Sequence, residues 1–326
     1  MAGAAIAAPL RPFSVVGEAD LERELALLRE AITDSSAGAF GPRSMVWHID
    51  KEAAIFLGAG RALLLQLAHP WIATAIAQHS RTLADPIGRF HRAFNAVFTM
   101  VFGTTEQALA AARRLHQRHA GINGILTEAA GPFAAGSRYE ANDVAALRWV
   151  HATLIDSALI AYQLVFLPLS TEERERYWTE ARRFAAFFGI PQDALPQSWE
   201  DFAAGNDQLL GSDLLSVSDG ARKIARVILS GAGTRLPIPS WYRALTARLL
   251  PARLREEFGL PYGKIEHRKT ERALAVLRRA YPWVPALLRR VGPYQEACAR
   301  LAGETRPGVA TQLLNRLWIG QKLMAG

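Results

Sequence analysis

The chain has a single cysteine, Cys298, in 326 residues. An internal disulfide is therefore impossible, a zinc site built on paired cysteines is excluded, and a reducing compartment suits it. Between positions 53 and 84 there is not one Asp or Glu. The phosphate-cradling P-loop, the G-x-G-x-x-G loop after a strand, the serine-hydrolase elbow and the H-E-x-x-H zinc motif are all missing. No run of alternating β-branched residues reads as a strand, so a sheet does not organise this fold. The N-terminal MAGAAIAAPLRPF has no basic residue before a short apolar run, which is not the pattern of a secretory signal.

What remains is helical periodicity along nearly the whole length. Half of the residues are hydrophobic (50%) and 21% are charged, enough apolar side chain for a sizeable core. The pattern predicts an opening amphipathic helix over 18–36, a very apolar pair over 50–80, and a helix over about 86–102. That last helix has Asp85 as N-cap, Pro86 at its first position and Gly103 as its end. Thr104-x-x-Gln107 reads as a capping box opening a helix that runs to about 128. Asn142 or Asp143 caps a long apolar helix through Val165, Ser170-x-x-Glu173 caps the next, and Ser198-x-x-Asp201 starts another. Beyond Gly231 prolines punctuate short basic helices, and further helices fill 268–303 and 308–323. No repeat or long linker divides the chain. The expectation is one all-α domain: an N-terminal extension with the opening helix (1–39), a main helical body (40–235), and C-terminal helices packed on it (236–326).

The net charge of +8 invites nucleic acid or an anionic membrane as a partner. The arginines, however, are spread along helices among acids and alanines, with neither aromatic-interleaved nor helix-turn-helix spacing. Nucleic acid is not expected; of the two, a weak attraction to anionic lipid is the more plausible. Residues 62–80 carry no charge and reach the length of a membrane span. Gln66, His69, Pro70, Gln78 and His79 interrupt them, so a buried core helix broken near His69-Pro70 is the better reading.

Three features carry chemistry. Arg113 and His116, three apart, share one helix side beside Leu109, Ala112 and Ala120, a small-residue surface that a flat ligand can approach. An imidazole there can bind iron, while the bland alternative is a solvated basic face. His151 sits among Leu147, Leu154, Ile155, Ala158 and Tyr162, and is buried either as a satisfied core histidine or beside a ligand. Arg148 and Asp156 lie off that stripe and are expected to pair at the helix surface. Arg89 and Arg92 flank the apolar face Phe90, Phe94, Val97, Phe98 and Val101, where guanidinium groups could hold carboxylates such as haem propionates or simply line a surface. His116 and His119 have a spacing that one metal can bridge, yet neither a Glu nor a Cys completes a zinc set. Gly58 and Gly60 fall inside a helical pattern and are expected to permit close helix packing.

The passages LLLQLAHPWIATAIAQHS, ADPIGRFHRAFNAVFTMVFGT, ARRLHQRH and GSRYEANDVAALRWVHATLIDSALIAY together resemble the family of the rubber oxygenase (latex-clearing protein) and ER-bound MpaB oxygenase catalytic domains. The similarity covers roughly residues 40–205 and extends loosely through SWYRALTARLLPARLREEFGLPYG. The resemblance implies a mostly helical, globin-like core holding one haem b. It places the proximal Arg-x-x-His on Arg113 and His116, a further histidine on His151, and the distal segment on Arg89-Phe90-His91-Arg92-Ala93. Here the chain departs from the rubber enzymes. Arg92 stands for a lysine and, staying protonated, is a very poor iron ligand; Ala93 lacks the hydroxyl, and the distal glutamate has no counterpart in 53–84. Rubber itself is thus not the expected substrate.

The expected function is haem b-dependent oxygenation of an apolar, isoprenoid or lipid-like small molecule by dioxygen, in the cytoplasm with contact to a membrane as an added option. His116 is the expected metal ligand, with Arg113, Arg89, Arg92 and His151 around the cofactor. Arg92, His69, His79 and His91 are the candidate catalytic groups, the histidines replacing the missing carboxylate. Two rivals stand beside this reading: a non-catalytic haem sensor or carrier, and a haem-free helical protein that uses its basic 240–270 region at a membrane surface.

Overall fold

Helices begin where the capping residues predict. In the computed structural model, which describes residues 14–79, 85–231 and 237–324, sixteen α-helices and a single two-stranded hairpin make an all-α fold. The N-terminal run MAGAAIAAPLRPF lies outside the described residues. Helix α1 (Glu18–Glu30) is shorter than expected, because Asp34 Oδ1 accepts the Ser36 and Ala37 N–H groups in a turn. Then come α2 (Met45–Asp50), a 3-10 turn (Ala53–Gly58), α3 (Ala59–Leu67) and α4 (Pro70–His79). The apolar pair breaks at His69-Pro70 with a bend of 97°, since Pro70 has no N–H to continue α3.

Helix α5 (Pro86–Phe102) is capped by Asp85, whose carboxylate accepts the Gly88 N–H at 2.8 Å. The reciprocal Thr104/Gln107 box opens α6 (Thr105–Ala120), so α5 and α6 form a tight antiparallel hairpin. The expectation of a helix to about 128 is corrected: α6 stops at Ala120. Gly121 and Gly124 interrupt the helical run, and strand β1 (Asn123–Ile125) pairs antiparallel with β2 (Arg138–Glu140), Gly124 opposite Tyr139. At Gly124 a Cβ would press on the Tyr139 hydroxyl, so glycine fits the pairing.

Helix α7 (Val144–Val165) is the axis of the molecule. Asp143 caps it through the Ala145 and Ala146 N–H groups. It has the length and apolarity of a membrane span, and in this fold other helices pack around it, as expected for a helix apolar on all sides. Leu147, Ile155, Leu159 and Tyr162 join the main core, Trp149 joins a second core, and Ala161 a third. After it come α8 (Thr171–Ala185), α9 (Trp199–Gly211), α10 (Asp219–Ser230), α11 (Ser240–Leu249), α12 (Ala252–Glu257) and α13 (Lys264–Ala280), of which α8 and α13 pack on α7, as do α2 and α3. Helices α14 (Ala286–Arg289), α15 (Gly292–Leu301) and α16 (Val309–Ile319) close the chain, and α15 and α16 pack on α5. Basic side chains of the 240–270 region are partly engaged within the protein, Arg248 with Glu271 and Arg253 with Glu257.

Glycines 58 and 60 permit close packing, as expected. A Cβ on Gly58 would collide with the Ser157 carbonyl of α7, and one on Gly60 with the Thr246 side chain of α11. Beside them runs a buried ion pair that the sequence reading missed. Arg61 is 3% exposed; it bonds Asp156 at 2.6 Å, the Ser157 hydroxyl at 2.8 Å and the Leu249 carbonyl at 3.0 Å. The expected surface pairing of Asp156 is thereby corrected. It points inward because Arg61, on the facing helix, must be neutralised when buried.

Candidate functional site

Between α3, α5, α7, α8 and α10 lies a cavity of about 320 Å³, at the lower end of small-molecule pockets. The whole stripe read from the sequence, Phe90, Phe94, Val97, Phe98 and Val101, faces it. Phe56 packs against this stripe, with its ring 4.6 Å from Phe94 and stacked at 4.3 Å on Trp318. Small residues of the opposing helices, among them Gly58, Gly60 and Ala158, leave the room. Ala93, where the rubber enzymes carry a hydroxyl, also lines it. Arg89 lines the cavity as well; burial and the neighbouring Arg92 charge pull its guanidinium below the ordinary value.

Most polar groups on this wall are already satisfied. Gln66 donates to Thr153 (3.0 Å), Ser157 accepts from Arg61, and Tyr242 donates to the Phe56 carbonyl (2.7 Å) while accepting from the Gly60 N–H. Two are not: Asp50 Oδ1, at the end of α2, and the Tyr177 hydroxyl of α8 are buried without a hydrogen-bond partner. Burial pushes the Asp50 carboxyl up to about 7 from the usual value near 3.8. Tyr177 is driven well above its ordinary value by burial and then by the nearby charges of Asp50, Asp156 and Glu180. Only a faint signal marks Asp50 in the sequence: it falls just before the acid-free stretch, among Val46, Trp47 and Ile49.

The residues singled out in the sequence lie apart. Arg113 is exposed and makes a bidentate pair with Glu22 of α1, 2.7 Å on both arms. His116 is half-buried, its Nδ1 enclosed without a partner, and close enough to α1 to lower Asp20 and Glu22. One turn on, His119 is pushed down to about 4, mainly by burial and then by Arg118, His116 and Arg89. His119 was noticed in the sequence only as a zinc candidate. Among the described residues no three His, Cys, Asp or Glu side chains converge to hold a metal ion.

His151 is 1% exposed, and its Nε2–H donates to the Ala181 carbonyl at 2.9 Å, between Trp178 and Phe184. It does not reach the cavity wall, and burial holds it neutral, down to about 4. Arg92 is exposed and paired with Asp85 at 3.1 Å. The three candidate catalytic histidines are dispersed. His69 is buried at the α3–α4 break against Trp71 and Phe133. His79 meets the Asn123 carbonyl and the Tyr139 hydroxyl, and His91 the Leu317 carbonyl on α16. None of these three lines the cavity.

Fold and cavity together define an all-helical protein with an apolar cavity between its helices. The chain belongs to the family described as ER-bound oxygenase mpaB/B'/Rubber oxygenase, catalytic domain, whose model matches residues 46–286. No curated protein and no solved structure matches it. In donor chemistry the residues fit a haem: His116 of α6 has an enclosed imidazole nitrogen without a partner, and Arg89 of α5 carries a half-buried guanidinium of the kind that binds a propionate.

Proposed function

We propose that the chain is a haem b-dependent oxygenase that takes an apolar small molecule, isoprenoid or lipid-like, into the α3–α5–α7 cavity and uses dioxygen. The observation that carries this is the apolar stripe of α5 facing an enclosed cavity within a chain of the oxygenase family. When bound, haem b supplies the activation of dioxygen.

The chain's own residues bind and orient. An imidazole of α6, His116 or His119, would hold the haem iron; the partnerless, enclosed Nδ1 speaks for His116. Arg89 would hold a propionate. Arg113, locked to Glu22, fixes α6 against α1 rather than touching the cofactor, and Arg92 is a rim charge. His151 ties α7 to α8 behind the chamber. The aromatic wall excludes water from the substrate. The partners are the apolar substrate and dioxygen, in the cytoplasm, with contact to a membrane as a source of apolar substrate.

The test is the visible spectrum of purified protein with and without added hemin, followed by dioxygen uptake with apolar alkenes. A Soret band lost in His116→Ala or in His119→Ala, but retained in the other, names the ligand. Retention in both variants refutes an α6 ligand. That none of the three candidate catalytic histidines lines the cavity favours a second reading, a haem sensor or carrier; it predicts a Soret band without substrate-dependent dioxygen uptake. No Soret band and no gain on adding hemin leaves the haem-free, membrane-surface reading.

A further inference from the structure

The cavity is greasy, yet two of its polar groups have nothing to bond. We infer that Asp50 and Tyr177 form a paired hydrogen-bond site for a neutral oxygen function, a carbonyl or hydroxyl, at one end of an otherwise apolar ligand. The inference rests on the reading of this cavity as the substrate site and names the class of molecule it takes.

Gln66, Ser157 and Tyr242 make their hydrogen bonds within the protein. Asp50 Oδ1 and the Tyr177 hydroxyl do not, although leaving a buried polar atom without a partner destabilises the fold. They come from different elements, α2 and α8, that pack together, and both contribute to the lining of the same chamber. Tyr177 itself is fully buried, so bulk solvent does not satisfy its hydroxyl.

The chemistry of the pair selects its ligand. A neutral Asp50 carboxyl is a donor, as is the phenol of Tyr177, and two donors aimed into an apolar space suit a carbonyl oxygen with two lone pairs. A hydroxyl fits by accepting from one and donating to the other. A carboxylate is disfavoured, because Asp156 and Glu180 already place negative potential at Tyr177. A pure hydrocarbon leaves both groups orphaned. The preferred ligands are therefore apolar ketones, aldehydes or alcohols, not fatty acids and not plain alkenes.

The probes are 2-undecanone and undecane, with binding to the full-length purified protein measured by headspace partition. The carbonyl stretch of carbonyl-13C 2-undecanone reports its hydrogen bonding. Tyr177→Phe and Asp50→Leu should each weaken 2-undecanone roughly 5-fold or more, the loss of one hydrogen bond, and leave undecane binding unchanged or tighter. Asp50→Asn keeps an N–H donor and should retain most of the ketone affinity, which separates the hydrogen bond from any general damage at Asp50. In the wild type the carbonyl stretch should fall below its value in hexane and return toward it in Tyr177→Phe. Equal losses for both probes, or a wild-type stretch equal to that in hexane, overturn the pair while leaving the cavity reading standing. Failure of both probes to bind overturns both.

Discussion

Replacing Asp50 by Asn should stabilise the protein, by an amount that grows with pH. The folded state holds the Asp50 proton up to about 7, whereas the unfolded chain releases it near 3.8. Because the folded value is raised, the folded protein is not penalised below the unfolded value, and it loses stability progressively as pH rises from about 4 to about 7. The gap is about 3 pH units, and each unit corresponds to about 1.4 kcal/mol, so the penalty levels off near 4 kcal/mol above neutrality. An amide of the same shape carries no such penalty. Urea unfolding of wild type and Asp50→Asn should therefore give midpoints that nearly coincide at pH 4.5 and separate steadily toward pH 8. Other titrating groups act equally on both proteins and cancel in the difference. A difference that stays flat from pH 4.5 to 8, or a variant less stable than wild type at pH 8, would refute the account of Asp50 as a carboxyl held neutral at the cavity wall.

Other outcomes follow from the same geometry. Arg61→Ala should cost about 3–5 kcal/mol in urea unfolding, since it strands the Asp156 carboxylate inside, whereas Arg92→Ala, which breaks only an exposed pair, should change stability by less than about 1 kcal/mol. His69 and His151 are each held down to about 4 by burial, against about 6.5 in the unfolded chain; the stability they confer is complete above pH 6.5 and should be lost as pH falls toward 4, read as a falling unfolding midpoint. Gly58→Ala should lower Tm measurably, because its Cβ has no room beside the Ser157 carbonyl.

Most of the helix plan was legible because caps and periodicity are local. Asp85-Pro86, the Thr104/Gln107 box and Asp143 act over three or four residues, and each helix starts where they stand. The end of α6 was not, because Gly121 and Gly124 are used by a hairpin whose partner strand lies beyond a long loop. The cavity stripe of α5 was readable for the same reason as the caps: its five apolar positions repeat along one helix face. The site's polar groups were not, since Arg61 pairs with Asp156 across helices far apart in sequence, and Asp50 comes near Tyr177 only through the packing of α2 on α8. His151 shows the limit from the other side. Its burial followed from its apolar neighbours, but its partner, the Ala181 carbonyl, is a backbone atom that no side-chain pattern announces. Likewise nothing local told His116 from His119: one imidazole faces α1 and the other senses Arg89.

The central claim, a haem-dependent oxygenase with its axial imidazole on α6, is tested most directly by the visible absorption spectrum of the purified chain reconstituted with hemin, alongside His116→Ala and His119→Ala. The account predicts a Soret band at stoichiometric haem in the wild type and its collapse in one of the two variants. Haem bound to the same extent with an unchanged spectrum in all three proteins, or no haem bound by the wild type, would contradict it.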